Sequence, residues 1–296
     1  MRSATPDGSQ PPVAMEMIEQ GIECDSEGSG VGQHRLVRPS GRVLCRFSCG
    51  AASAVATKIA LEKYGDACEI YRCDTGSEHE DNERFQRDCE EWYGKRITVL
   101  KSEKFDDIYD VFETRRFLVS HQGAPCTGEM KKVPGDSVWN IGDIEIYGYT
   151  AHEAHRVKKW QRENSERIIE CPLIDHSLTK DDCFGVLARV GIELPVMYKQ
   201  GFRNNNCIGC VKARDSIDYW KRVRKYYPEQ FWKTARLERE LGFEINRVTK
   251  DGKRTPIYLD EIEDGDPKGN DPNIQCGLFC MAEVDSWTNS QDRAPR

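Results

Sequence analysis

Residues 43–63 constrain the fold more than any other stretch, because they predict a strand, a tight loop and a helix in succession. The apolar run 43–47 is long enough for a buried strand and too short for a helix. Residues 48–53 are all small, and a helical spacing of apolar residues then continues until Gly65 ends it. The sequence therefore predicts a β–α unit at this position.

The loop of this unit suits an anion. The first backbone N–H groups of a helix have no partner within the helix, and the helix dipole adds partial positive charge there. Gly50 lets the backbone approach a ligand, and the hydroxyls of Ser48 and Ser53 add neutral donors. The same residues also compose an ordinary turn between a strand and a helix, so the loop alone leaves both interpretations open.

Strands and helices alternate along the first half of the chain. Further strands are predicted at 69–73, 97–100 and 144–148, and helices at 80–93, 105–120, 178–190, 215–226 and 229–241. This alternation implies an α/β fold with a doubly wound parallel sheet, whose ligands bind where the strand order reverses. We therefore expect Ser48, Asp74 and Gly148, at the ends of three strands, to meet at one crevice.

Composition divides the chain into four parts. Residues 1–40 are rich in Pro, Gly, Ser and Glu and predict a mobile arm. Residues 41–175 form the predicted α/β core, 176–281 a helical part that carries several cysteines, and 282–296 a loose tail. No apolar run approaches the roughly 20 residues that span a bilayer, and the N-terminus lacks the apolar core of a signal peptide. We expect a cytoplasmic protein with no membrane partner.

The 13 cysteines are many for a protein of a reducing compartment, where disulfides are rare. Cys45, Cys68 and Cys183 lie in apolar segments, where a thiol behaves as a small hydrophobic group. The net charge of -7 argues against general nucleic-acid binding, although a local basic patch could still contact phosphates.

Five other cysteines suggest chemistry. Cys207 and Cys210 form a CxxC pair in a polar loop, which favours metal binding or redox chemistry over burial. A structural zinc ion requires four ligands, which Cys207, Cys210, Cys276 and Cys280 could supply. An iron–sulfur cluster also requires four thiolates, and Cys126 with the CxxC pair gives three, the fourth coming from the tail or from outside the protein. Spacing does not choose between them, and a remaining tail cysteine near lysines could act as a nucleophile.

Two polar segments have a functional and a plain interpretation. His152 and His155 could form a ligand pair, but no third ligand is near in sequence, so solvated side chains are favoured. Cations interleaved with aromatic residues over 212–227 could face a nucleic acid, or could form a solvated helix face whose aromatic side is core.

Five motifs in order resemble the phosphoadenosine phosphosulfate (PAPS) reductase family, within the PP-loop superfamily of adenine nucleotide α-hydrolase-like folds. The resemblance covers about residues 42–280. Its motifs are the phosphate loop at 48–55, the Asp-Thr-Gly at 74–76 followed by Glu78 or Glu83, the stretch 148–156, the segment 195–202 leading to the CxxC pair, and Gln-Cys-Gly-Leu-Phe at 275–279. Phages and mobile elements encode many such proteins, so a phage-encoded member is one expectation.

The resemblance implies a nucleotide-binding PP-loop core and assigns roles to residues. An adenine nucleotide substrate would bind at Ser48, Gly50, Ser53, Asp74, Gly76, Lys131, Gly148 and Arg156. A 4Fe–4S cluster would be held by Cys126, Cys207, Cys210 and Cys280, with zinc as the alternative metal. Cys276 would attack the sulfur of an adenylyl sulfate, and a thioredoxin-like thiol donor would complete a sulfonucleotide (PAPS or adenosine phosphosulfate) reductase reaction.

Several positions depart from the family pattern and leave alternatives. The cluster-bearing branch has two adjacent cysteines where this chain has Cys126 alone, and Gln275 and Phe279 replace a Glu and a His. Ala52 stands where ATP-using relatives have Asp, which disfavours ATP cleavage. The alternatives are an ATP-dependent sulfurtransferase that thiolates a nucleic acid, and a non-catalytic nucleotide-binding module held together by zinc.

Overall fold

The computed structural model describes residues 41–120, 123–250, 252–269 and 271. Its central sheet has five strands: β1 (Val43–Arg46), β2 (Cys68–Cys73), β3 (Ile97–Leu100), β4 (Ile144–Ile146) and β5 (Ile168–Glu170). All pair in parallel, in the order β3-β2-β1-β4-β5. The predicted doubly wound parallel α/β sheet is confirmed.

Helices cover both the sheet and the second half of the chain. They are α1 (Ala51–Tyr64), α2 (Asn82–Tyr93), α3 (Ile108–Arg115), α4 (Pro125–Thr127), α5 (Val133–Asp136), α6 (Ala154–Glu163), α7 (Pro172–Asp175), α8 (Lys180–Arg189), α9 (Val196–Lys199), α10 (Ile217–Tyr226) and α11 (Pro228–Leu241). An antiparallel hairpin of β6 (Asn246–Lys250) and β7 (Lys253–Ile257) follows them. No helix in the described ranges is long and apolar enough to cross a membrane.

The strand order places β1 at the centre of the sheet. From β1 the chain builds β2 and β3 on one side, and then returns to add β4 and β5 on the other. Val43 accordingly pairs with Cys68 of β2 on one side and with Ile144 of β4 on the other. The strand order thus reverses between β1 and β4, where a crevice opens beyond their carboxyl ends.

Two large apolar cores hold the described chain together. One packs the sheet against α1, α2 and α8, and it contains the buried thiols of Cys45, Cys68 and Cys183, as their apolar surroundings predict. The other packs α3 against α10, α11 and the CxxC segment, with Trp220 and Phe231 fully buried. The CxxC pair therefore lies on the core of the helical half, close to the sheet.

The structure corrects several sequence-based boundaries. Residues 123–132, expected to be a loop, form α4 and a π-helical turn over Gly128–Lys132. The helix expected over 105–120 is shorter, because Asp107 caps α3 by accepting from the N–H groups of Tyr109 and Asp110, and Arg116 ends it in a left-handed conformation with a φ of 51°. The pattern also misses β5 and the hairpin, since three residues give too little alternation and the hairpin is largely exposed.

Candidate functional site

A cavity of about 460 Å³ lies at the carboxyl ends of β1, β2 and β4. Residues of the loop after β1, the end of β2 and the segment after β4 line it, as expected where the strand order reverses. The predicted anion-binding residues that line it are Ser48, Gly50, Ser53, Lys131, Gly148 and Arg156. The structure therefore brings together six of the eight residues that the sequence assigned to the nucleotide.

Hydrogen bonds within residues 48–53 hold the loop in one shape. The Ser48 N–H donates to Ser53 Oγ at 3.0 Å, and that hydroxyl donates to the Gly50 carbonyl at 2.9 Å. Cys49 has a φ of 54°, in the left-handed region that residues other than glycine rarely adopt. The Ser53 hydroxyl thus closes the loop in this structure, and its role in binding an anion stays a prediction. Further donors are N–H groups in the first turn of α1, which contains no acidic residue, although the Ala51 N–H already donates to the Tyr198 hydroxyl.

Position 148 requires a glycine, because its backbone lies against residues 48–53. A Cβ atom at this position would lie 2.6 Å from both the backbone N and the Cα of Ser53. The segment after β4 therefore passes directly against the start of α1, and only glycine leaves both backbones in place. A Cβ at Gly50 would meet the Tyr198 hydroxyl at 3.3 Å, so the second glycine makes room for a tyrosine of α9.

The cations of the cavity differ in their partners. Arg156 donates to Glu153 at 2.8 Å, and Lys131 Nζ lies 3.9 Å from a carboxylate oxygen of Glu78. Glu78 is buried, and desolvation raises the pKa of its carboxyl despite the nearby positive charge of Lys131. These carboxylates offset part of the positive charge at two sides of the cavity.

Lys180, at the start of α8, is held by neutral oxygens. Its ammonium donates to the Arg203 carbonyl at 2.6 Å and to Asn204 Oδ1, and it lies 5.5 Å from the centre of the Tyr198 ring. Burial, and next the positive charge of Arg203, lower the pKa of Lys180 to about 8, although Glu153 acts in the opposite direction. An anion in the cavity would favour the protonated form of this lysine.

Three buried polar atoms of cavity-lining residues have no hydrogen-bond partner in the described chain. They are the Tyr71 hydroxyl, Arg72 Nε and Asn205 Oδ1. Such atoms are rare in folded proteins, because each costs about 1–3 kcal/mol when it is left unsatisfied. The three atoms make the surroundings of this cavity suitable for a polar ligand.

Two thiols with raised pKa values lie in or beside residues 48–53, the predicted anion loop. Cys73 lines the cavity and donates to the Lys131 carbonyl at 3.4 Å, and Cys49 receives a hydrogen bond from Arg72 at 3.4 Å. Burial raises the pKa of both thiols. Because the thiolate is the nucleophile, neither cysteine is suited to attack a bound substrate.

Cys126, Cys207 and Cys210 line one small void together with Lys131 and Thr127. The void measures about 10 Å³, room for about one water molecule. The Thr127 hydroxyl is buried and has no hydrogen-bond partner among the described residues, and Cys207 Sγ lies 3.0 Å from the hydroxyl of Thr75. Lys131 also lines the larger cavity, so this lysine stands between the three cysteines and the anion loop.

The donor chemistry of this void suits a thiolate-bound metal group, but the arrangement is incomplete. Three sulfur donors face one space, whereas zinc and a 4Fe–4S cluster both take four. No group of three or more Cys, His, Asp or Glu side chains in the described part of the chain is arranged to hold a metal ion. Cys280 and Cys276 lie outside the described residues, so the fourth ligand and the nucleophile stay predictions.

Two predicted nucleotide-binding residues lie outside the cavity lining. Asp74 accepts the N–H of Gly76 at 3.0 Å and pairs with Lys101 at 3.3 Å. Gly76 has a φ of 61°, and a Cβ there would lie 2.0 Å from the Asp106 carbonyl oxygen. These contacts shape the loop after β2, and a direct role of either residue in nucleotide binding stays a prediction.

The sequence argument missed several residues of the site. Arg46 and Arg72 lie near the carboxyl ends of apolar strands. A cation at such a position in the sequence indicates a residue of the binding crevice. Lys180, Arg203 and Asn205 carry no such signal, because they join the cavity from distant parts of the chain. His152 and His155 are exposed, as favoured above, yet they too line the cavity.

The basic segment is a core helix. Tyr219 and Trp220 of α10 are buried, which confirms the aromatic core side. Its cations pair with the acidic segment after the hairpin: Arg222 with Asp271, Arg224 with Asp264 and Lys225 with Asp266. These pairs leave the helix less suited to nucleic-acid phosphates than the sequence alone indicated.

Comparison with solved structures finds similar chains, one of which is described below. No family model matches the sequence. No curated protein matches it either. A solved structure of phosphoadenylyl-sulfate (PAPS) reductase from Candida auris, in complex with phosphate, is similar with a TM-score of 0.41 and 11% identity. The match covers 56% of this chain and 81% of that chain.

Proposed function

We propose that the chain is a sulfonucleotide reductase-like enzyme that binds an adenylyl sulfate in the cavity. The observation that carries this proposal is the cavity itself. Three unsatisfied buried polar atoms, the open start of α1 and a set of cations surround one space of about 460 Å³. A nucleotide with adjoining phosphate and sulfate groups supplies the negative charge for the α1 start and Lys180, and its base and sugar supply neutral polar groups.

The nucleophile in this proposal is Cys276. The raised pKa values of Cys49 and Cys73 favour a cysteine from elsewhere. Asp271 is buried and accepts the N–H of the cavity residue Arg203 at 3.4 Å. Cys276 follows Asp271 by five residues, which span at most about 18 Å when extended. An extended segment of this length is sufficient to bring the Cys276 thiol to a substrate beside Arg203.

The proposed reaction is a two-electron reduction in two stages. The Cys276 thiolate attacks the sulfate sulfur, an S–S bond forms as the sulfur–oxygen bond to the phosphate breaks, and the nucleotide leaves with its phosphate. One thiolate of an external dithiol, such as thioredoxin, then attacks Cys276 Sγ and releases sulfite. The second thiol resolves the mixed disulfide, so the dithiol is oxidised and Cys276 is restored.

We also propose that Cys126, Cys207 and Cys210 hold a 4Fe–4S cluster, with Cys280 as fourth ligand and zinc as the alternative. The convergence of the three thiols on one void beside Lys131 supports this. Such a group, when bound, would contribute a fixed local charge and tie the tail to the CxxC segment. The attack on sulfur does not depend on this group, because the described residues supply only three of its four ligands.

The assay that tests the proposal compares two sulfonucleotides and ATP as substrates of the anaerobically purified protein. Adenosine phosphosulfate and its 3′-phosphorylated form, each with thioredoxin, are expected to give thiol-dependent sulfite, and iron analysis about four irons per chain. ATP cleavage to AMP and pyrophosphate without sulfite release would instead favour the sulfurtransferase. One zinc per chain with no turnover of any of these nucleotides would favour the non-catalytic module.

Lys180 gives this proposal a pH dependence. Because the pKa of this lysine is about 8 without ligand, its charge is lost as the pH rises through that value. We expect the affinity for AMP, measured by calorimetry, to fall by about ten-fold between about pH 7 and about pH 9.5. Lys180→Arg keeps its charge and should flatten the fall, whereas Lys180→Gln should bind weakly throughout. A Lys180→Gln protein that retains the normal decline would contradict this assignment.

A further inference from the structure

The side-chain amide of Asn205 is locked in one orientation by its neighbours. Asn82 donates its Nδ2 to Glu78 at 3.1 Å, which leaves Asn82 Oδ1 as an acceptor. Asn205 donates its Nδ2 both to that oxygen and to the Cys49 carbonyl, each at 2.7 Å. Because both partners of Nδ2 are acceptors, the Asn205 amide cannot be flipped. The other amide atom is therefore the oxygen, which can only accept a hydrogen bond.

Asn205 is the residue of the cavity wall whose unsatisfied atom is an amide oxygen. Asn205 is only 7% exposed and lines the cavity, and its Oδ1 has no hydrogen-bond partner in the described chain. Arg72 Nε, also unsatisfied, is a donor that suits an anionic oxygen. An amide oxygen repels anionic oxygens, and therefore Asn205 marks where a neutral, donor-bearing part of a ligand lies.

We propose that Asn205 determines specificity by accepting one hydrogen bond from the nucleoside part of the ligand. The donor is a ribose hydroxyl or the exocyclic amino group of adenine, since these are the neutral donors of an adenine nucleotide. The proposal rests on the function proposed above. Asn205 donates to the Cys49 carbonyl and so stabilises residues 48–53. The proposal implies that the same side chain also favours a nucleotide over a free anion.

The ligand itself provides the first test. Calorimetry on the intact chain would compare AMP with its 2′-deoxy, 3′-deoxy and 6-desamino (purine riboside) analogues. Loss of a donor to a buried acceptor costs about ten-fold in affinity, so we expect one analogue to bind about ten-fold more weakly than AMP. The analogue that is affected identifies the donor. Equal affinities for all four ligands would overturn the proposal.

A variant then assigns the effect to this residue. Asn205→Leu keeps the side-chain shape but removes the acceptor, and we expect it to bind AMP and the affected analogue equally, whatever its overall affinity. The control Asn140→Leu, at an exposed position outside the cavity lining, should keep the discrimination of the unmodified chain. Discrimination that persists in Asn205→Leu would overturn the proposal.

The two proposals fail in different ways. Failure of AMP to bind the unmodified chain would overturn both the nucleotide site and the role of Asn205. Binding of AMP without discrimination would overturn only the role of Asn205. If Asn205→Leu does not fold, as a thermal melt would show, the comparison of ligands on the unmodified chain still decides.

Discussion

Replacing Cys276 by serine is expected to abolish thiol-dependent sulfite release, by about 10³-fold or more, because a serine hydroxyl is almost wholly protonated at neutral pH and cannot form the S–S bond. Nucleotide affinity and metal content should be unchanged, since the cavity and the three converging cysteines lie elsewhere in the chain. Mass spectrometry checks the covalent step directly. The unmodified chain, given substrate without thiol, should gain the mass of one SO₃ group on Cys276.

Cys183→Ser is the matched control, because Cys183 is fully buried in the core between the sheet and α8. Burial raises the pKa of this thiol to about 12, which leaves it inert as a nucleophile. Its substitution should lower stability modestly while sulfite release continues. Turnover that survives in Cys276→Ser would remove this residue from the mechanism and leave the nucleotide site standing.

Replacing Glu145 by glutamine is expected to lower the free energy of unfolding by about 3–5 kcal/mol. Glu145 is fully buried in β4 and accepts from Arg46 at 2.5 Å and from Arg167 at 3.1 Å. Both guanidinium groups are about nine-tenths buried. Without the carboxylate the positive charge of Arg46 lies in the interior uncompensated, and Arg167 keeps only its ion pair with Asp136 at 2.6 Å. Together these losses are far more costly than losing one hydrogen bond. Urea denaturation at neutral pH measures the loss.

Glu69→Gln is the control for this change, because both glutamates flank Leu44 in the sheet. Glu69 is 56% exposed on its side chain and pairs with Arg42 at 3.1 Å. An exposed pair contributes less than about 1 kcal/mol, so the same substitution should barely move the urea midpoint here. Similar losses at the two positions would show that Glu145 does not compensate the arginines as described.

The alternation of apolar strands and amphipathic helices was sufficient to predict the sheet. β1, β2, β3 and β4 lie within or close to their predicted ranges, because each is a short and mainly apolar run. The loop at 48–53 and Gly148 could also be located, since the composition of a loop and its position after a strand are local properties. The loop expected before α5 was wrong, because its Gly and Pro residues suggested a break where the chain forms a π-helical turn.

By itself, the sequence determined the parallel α/β architecture, the anion loop after β1 and the identity of the cysteines that converge. Only the tertiary structure decided that Lys180, Arg203 and Asn205 join that loop around one cavity. It also decided that the cations of α10 pair with an acidic segment about 40–50 residues later in the chain. The physical reason is that periodicity reports which side of one element is buried, whereas the partner of a polar atom depends on which elements pack together.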